Sequence, residues 1–235
     1  MNWVFILRDG LTAALQGIPV SLYITFVSLL IAMPFSFLCA MARVKRVPIL
    51  SQVITVVVSF LRGTPLVVQL FIIYSGFPSV LNLIVKANGW DFDAFGINPF
   101  VYAFVVFSMN VLGTLTEVFR SSLSAVSKDQ TEAALSVGLN HFQTNCLIII
   151  PQALVSAIPN ICNEFLNLFK STSLVYLMTI QDITGKVRIV AAAGYDYTEA
   201  YFVIAVVYFV LGFTMEKLFQ RMEGRLKTYK AAPQT

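Results

Sequence analysis

Residues 18–42 read IPVSLYITFVSLLIAMPFSFLCAMA, without one charged side chain, and Arg43, Lys45 and Arg46 follow at once. A bilayer core of ~30 Å asks a helix for about 20 consecutive, mostly apolar residues. Four more such blocks follow, over 49–76, 99–123, 146–169 and 198–218. Any one of them alone reads equally well as a buried soluble helix. Five in a chain of 235 residues do not. The chain is 57% hydrophobic and 12% charged, whereas a soluble domain carries roughly 25% charged residues. The fold class is therefore an all-α membrane protein of about five transmembrane helices, a single domain over 1–235. No internal repeat or low-complexity linker divides it.

The formal net charge is +4. The basic residues sit beside apolar blocks, with no interleaved aromatics of the kind a nucleic-acid surface shows. Orientation in the bilayer explains them better, because Lys and Arg favour the cytoplasmic side. One cluster follows span one; another, Lys217, Arg221, Arg225, Lys227 and Lys230, follows span five. With an odd number of spans, both are cytoplasmic only if the N-terminus is outside. Lys170, Lys186 and Arg188 then fall on the outer side, against the trend. Cys39, Cys146 and Cys162 lack disulfide or metal spacing. His141 is the single histidine, which excludes a His-based metal set. Residues 1–10 show no basic start and no cleavage pattern of a signal peptide; they read as a short interfacial helix or an untidy start to span one.

Polar groups inside the blocks are costly in lipid and so mark candidate sites. In span four, Asn160, Asn163, Glu164 and Asn167 are spaced i, i+3, i+4, i+7, which is one helix face. Lipid cannot satisfy them, so the face looks into protein or water. Its mix of donors and acceptors suits a zwitterionic ligand; the plainer alternative is hydrogen bonding between helices. A second face, Asn110, Thr114, Glu117 and Ser121, runs along span three. Arg62 is expected near the middle of span two, where it needs a partner; Glu117 and Glu164 are both candidates, and Arg120 is a second candidate for Glu117. Pro65, Pro151 and Pro159 each remove a backbone donor, and the groups they free are tolerated at membrane depth where they line a cavity. A short apolar run, 174–180, is too short to cross.

The most polar internal stretch holds a short helix at about 128–139, capped by Ser127 or Asp129 and released at Gly138. Within it, Glu132-Ala133-Ala134, three residues, Gly138, nine residues and Ile148-Ile149-Ile150-Pro151 resemble the EAA motif of ABC-importer membrane subunits, with Ile150 where leucine is usual. Arg62-Gly63-Thr64-Pro65-Leu66 with Gln69 resembles the signature of polar amino-acid permeases. So do Glu117-Val118-Phe119-Arg120, Gln130-x-Glu132-Ala133-Ala134, Pro151-Gln152-Ala153 and Lys170-x-Thr172-Ser173-Leu174. Two departures are Asp129, where glycine commonly precedes the glutamine, and Gly113-Thr114-Leu115, where Gly-Ala-Tyr is usual.

The resemblance implies a type I ABC importer permease fold in the bacterial cytoplasmic membrane. It implies a second permease subunit (the same chain or a paralogue), a pair of ATPase subunits and an extracytoplasmic amino-acid-binding protein. Gln130, Glu132, Ala133, Ala134 and Gly138 would form the coupling helix docked on the ATPase. Arg62, Gly63, Thr64, Pro65, Pro151 and Lys170 would be structural or gating, and Asn110, Glu117, Asn160, Asn163, Glu164 and Asn167 would contact substrate. ATP and Mg would be bound by the partner ATPase, because Gly185-Lys186-Val187 fails the phosphate-loop pattern. No cofactor of its own and no enzymatic activity are expected. A polar amino acid such as cystine suits the mixed face. The rival is a secondary amino-acid transporter driven by an ion gradient, which would use the same carboxylates but leave the helix around Glu132 without a use.

Overall fold

The computed structural model describes residues 2–230, with side chains through Gly224. The side chains of Arg225, Lys227 and Lys230, counted above among the orienting charges, lie outside the described residues. Helix α1 spans Leu11–Val44, entered through a wider helical turn over Phe5–Gly10; α2 is Leu50–Gly63, α3 Leu66–Phe71 and α4 Phe77–Ala87. Helix α5 is Pro99–Ser124, α6 Lys128–Ser136, α7 His141–Thr144 and α8 Ile150–Ser171; α9 is Ile183–Gly194 and α10 Tyr197–Lys230. Five helical stretches are long and apolar enough to cross a membrane: Phe5–Val44, Leu66–Ala87, Pro99–Ser124, His141–Met178 and Tyr197–Gly224.

Helices α1 and α5 form the central pair. Along α1, Ala14, Ser21, Thr25, Ser28, Ala32, Ser36 and Ala40 are buried. Such a stripe of small residues lets two backbones approach closely where lipid supplies no hydrophobic drive. Ser108 Oγ of α5 donates to the Ser28 carbonyl at 3.2 Å, and Ser36 Oγ to that of Leu112 at 3.4 Å. Ile24, Val106, Phe107, Val111 and Leu115 fill the space around these contacts. Asn98 starts α5 cleanly, its side-chain oxygen accepting from the Phe100 N–H at 3.0 Å, with Pro99 in the first turn where no donor is lost.

Span two differs from the expectation of 49–76. Helix α2 is short and ends at Gly63, so Arg62 is in its last turn rather than mid-span. There a cation meets the negative end of the helix dipole. Thr64 and Pro65 are extended, and the chain restarts as α3. Leu61 would give its carbonyl to the N–H of residue 65, but Pro65 has none. Gln69 fills the gap: its Nε2 donates to the carbonyls of Leu61 at 2.8 Å and Thr64 at 3.2 Å, and to Thr64 Oγ1 at 2.7 Å. The helical path then continues through a widened turn at Ile72–Gly76, ahead of Pro78, to Ala87. Asn82 and Lys86, beyond the expected end of span two, are therefore helical. The longer apolar face of 66–87 outweighs those two side chains.

A third widened turn, Asn145–Ile149, precedes Pro151. A π-type turn and a proline together are a recognised cause of a kink. The path from His141 to Met178 is thus one bent span, longer than the expected 146–169 because capped α7 runs into it. At the N-terminus, the helix entering at Phe5 continues directly into α1, so this segment is the run-in to span one.

The run 174–180 begins in the last turns of the His141–Met178 stretch. The chain winds tightly over Thr172–Met178, turns at left-handed Thr179 and enters α9. Asp182 caps α9, its Oδ1 accepting from the Gly185 N–H at 2.8 Å, while Tyr208 of α10 donates to Oδ2 at 3.2 Å. Helix α9 packs against α1 so tightly that a Cβ on Gly17 would lie 2.4 Å from the Ile183 nitrogen. On α10, Ala200, Val203, Ile204 and Val207 are buried at helical spacing, which fixes its inward face.

Candidate functional site

On α8 the expected polar face is present, but its members differ. Asn160, Asn163 and Asn167 are exposed on the outside of the chain, while Glu164 is buried, at 9% exposure. The Glu164 carboxyl has the side chains of Asn167 and of Thr114 on α5 as polar neighbours, and lies within reach of the charge of Arg62 on α2. The Arg62 stem packs over Gly113, where a Cβ would stand 3.1 Å from its Cγ. A larger residue at 113 would push the guanidinium away from the carboxylate. Three helices therefore meet at one buried acid: α8 supplies it, α5 a hydroxyl and α2 a cation. Asn110, one turn before Thr114 on α5, is half-buried.

Glu117, expected among the substrate contacts, is held in an ion-pair cluster. Its Oε1 is paired with Arg43 Nη1, and its Oε2 accepts from Arg120 Nε at 2.7 Å. The i, i+3 pairing with Arg120 was legible from spacing; the partner from α1 was not. Pairing between Arg62 and Glu117 is absent among the described residues, and both oxygens of Glu117 are already engaged. The face 110–121 is thus divided, Thr114 serving α8 and Glu117 bracing α1 to α5. Arg43, in sequence an orienting charge, and Gln69, in sequence one member of a motif, are polar residues whose partners local patterning does not reveal. The offset of Gln69, four residues after Pro65, is the signal that could have found it.

Lys170 is exposed and its stem lies along α10, 3.6 Å from where a Cβ of Gly212 would be. Gly63 has open space around it, so no contact among the described residues requires glycine there. Pro151 is exposed in the first turn of α8. In the 128–139 segment, Ser127 caps α6: its Oγ accepts from the Asp129 N–H at 3.2 Å. Gln130, Glu132 and Ala133 are exposed and Ala134 is buried. Gly138 leaves α6 at φ +90°, a conformation that suits glycine. Around it, Val137 and Phe142 are 79% and 77% exposed, large apolar groups left uncovered among the described residues. Among the described residues no cluster of His, Cys, Asp or Glu could hold a metal ion.

With five helical stretches long and apolar enough to cross a membrane, the chain has the fold of the membrane subunit of a type I ABC importer, as its family and structural matches show. The chain belongs to the family of binding-protein-dependent transport system inner membrane components, whose pattern matches residues 32–228. It is 34% identical over 97% of its length to the L-cystine transport system permease protein TcyL of Bacillus subtilis, covering 91% of that protein. It is 30% identical to the probable amino-acid permease protein YxeN of the same organism, over 94% of this chain and 95% of the relative. The crystal structure of an amino acid ABC transporter with histidines superposes with a TM-score of 0.77 at 28% identity, over 91% of this chain and 94% of that one. This chain is a permease subunit, not an enzyme, and the ion-gradient reading gives way to the family assignment.

Proposed function

We propose that this chain forms half of the translocation pathway of an ATP-driven importer for a polar amino acid, working as a multi-pass subunit in the bacterial cytoplasmic membrane. It pairs with a second copy or a paralogue. The N-terminus is outside and the C-terminus cytoplasmic, which puts Arg43, α6 and the end of α10 on the inner side. An extracytoplasmic binding protein delivers the amino acid, and two ATPase subunits bind ATP and Mg inside. Helix α6, with Gln130, Glu132 and Ala133 exposed and Val137 beside Gly138, is the docking surface for the ATPase.

The observation that carries the reading is Glu164. A buried carboxylate within reach of Arg62, continuous with exposed Asn160, Asn163 and Asn167, offers acceptors to an amino group and donors to a carboxylate. ATP binding shifts the paired subunits towards an outward-facing population, and hydrolysis returns them. The name of TcyL supports cystine as the first substrate to try.

The test is uptake of labelled cystine, and of arginine and glutamine, by cells expressing the assembled complex. Glu164→Ala should abolish most uptake while the complex still assembles, and Asn163→Ala should raise the apparent KM. Normal uptake by Glu164→Ala at normal expression sinks the site. For the coupling surface, the tagged chain is co-purified with its ATPase, with Glu132 and Gly138 both replaced. Loss of the ATPase supports α6 as the docking helix, and an unchanged complex places docking elsewhere.

A further inference from the structure

Where α1 ends and α2 begins, Arg43, Ser51, Gln52, Thr55, Val56 and Arg120 line a cavity of about 500 Å³. Two guanidinium groups here share the single carboxylate of Glu117. Even with Glu117 ionised, the cluster holds one positive charge in excess. Glu117 engages one nitrogen of each arginine, and among the described residues their remaining N–H groups have no protein partner. The Ser51 hydroxyl and the Gln52 amide also make no hydrogen bond among those residues. The Arg43 side chain is 15% exposed and that of Arg120 40%, so one cation is sheltered and one reaches the opening. Such a cavity is furnished for an oxyanion: charge, a planar donor fork and neutral donors beside it.

The surroundings say which oxyanion. Along the same helix, Val53, Val56, Val57 and Phe60 are exposed, an apolar face leading away from the cavity along α2. A small soluble anion has no use for it. A molecule with an anionic head and long hydrocarbon chains fits both halves. We propose that this pocket holds the phosphate of an anionic phospholipid, with its acyl chains laid along α2. The site needs the membrane-spanning fold but is independent of the amino-acid substrate, and basic pockets between helices are suited to such headgroups. A bound lipid here clamps the α1–α2 corner to the end of α5, next to the entry to α6.

The test uses the assembled transporter in nanodiscs of phosphatidylcholine with a minor share of phosphatidylglycerol, with native mass spectrometry counting the lipids that remain after mild delipidation. The wild type should retain phosphatidylglycerol in preference to phosphatidylcholine. Arg120→Gln removes the excess charge and leaves the Arg43–Glu117 pair; Gln52→Glu leaves all three charged groups in place and sets a carboxylate beside the phosphate. Each should lower retention about fivefold, the value of one basic residue at a membrane surface. Lys86→Gln, which removes an exposed cation outside the pocket, should retain lipid as the wild type does. Equal retention in all variants, or no preference for phosphatidylglycerol in the wild type, overturns the proposal. If a carboxylate of the second subunit fills the pocket instead, the lipid preference is missing and Gln52→Glu weakens subunit pairing, which also overturns it.

Discussion

The side-chain amide of Gln69 donates at 2.8 Å to the carbonyl of Leu61, the group whose helical partner would have been the N–H of Pro65. One side chain thus mends the backbone bond that the proline breaks, and also holds Thr64 through a bond at 2.7 Å. The break between α2 and α3 is a built corner, because the carbonyls of Leu61 and Thr64 are met inside the protein.

Gln69→Leu should therefore lower stability by about 1–3 kcal/mol, the cost of leaving a buried acceptor unpaired. Thermal unfolding of the detergent-solubilised protein measures it. Gln69→Glu should not restore the wild type, since a carboxylate has no N–H to give. A melting temperature unchanged in Gln69→Leu means that water or a neighbouring donor takes over.

The pair formed by Glu117 with Arg43 joins residues 74 positions apart. Glu117→Ala should cost about 2 kcal/mol or more, because hydrogen bonds to charged groups are worth about 1.5–3 kcal/mol each and two guanidinium groups are left facing one another. A double-mutant cycle with Arg43→Ala should return a coupling of about 1–3 kcal/mol. Additive losses would mean that the pair contributes nothing of its own.

Two glycines should respond to substitution for different reasons. Gly17→Ala places a methyl 2.4 Å from the backbone of Ile183 and should lower stability by about 1–3 kcal/mol through overpacking. Gly138 meets no atom within 4 Å of an added Cβ, but sits at φ +90°. Gly138→Val should cost about 1–2 kcal/mol from backbone strain alone, with its larger effect on recovery of the ATPase. If Gly138→Val co-purifies with a full complement of ATPase, the turn out of α6 has no role in docking.

Asp182, between the fourth and fifth spans, is fully buried. Burial raises its carboxyl above the ordinary 3.8, opposed by the N–H groups of Gly185 and Thr184 and by Tyr208. A raised value in the folded state means that folding favours the protonated form. The resulting stabilisation is complete below the unfolded value and is lost as pH rises through the folded one. Asp182→Asn keeps an acceptor for the Gly185 N–H and cannot ionise. As pH rises through and above the ordinary 3.8, the wild type should therefore lose stability relative to Asp182→Asn. Parallel melting curves across that range would show that Asp182 does not titrate differently on folding.

By itself, the sequence determined what depends on neighbours along the chain. Apolar runs of bilayer length, the proline after Arg62-Gly63-Thr64, the cap at Ser127, the turn at Gly138 and the i, i+3, i+4, i+7 face around Glu164 are all local patterns, set by helix periodicity and backbone chemistry. The Arg120–Glu117 contact was legible for the same reason. Only the tertiary structure decided that Arg43 takes the other oxygen of Glu117, that Arg62 lies towards Glu164 across Gly113, and that the helical stretch long and apolar enough to cross runs over 66–87, after a break at Pro65. Those outcomes depend on which helices become neighbours. In a membrane that choice is made by close packing of small residues and by the pairing of polar groups that lipid cannot solvate, and neither has a fixed spacing along the chain.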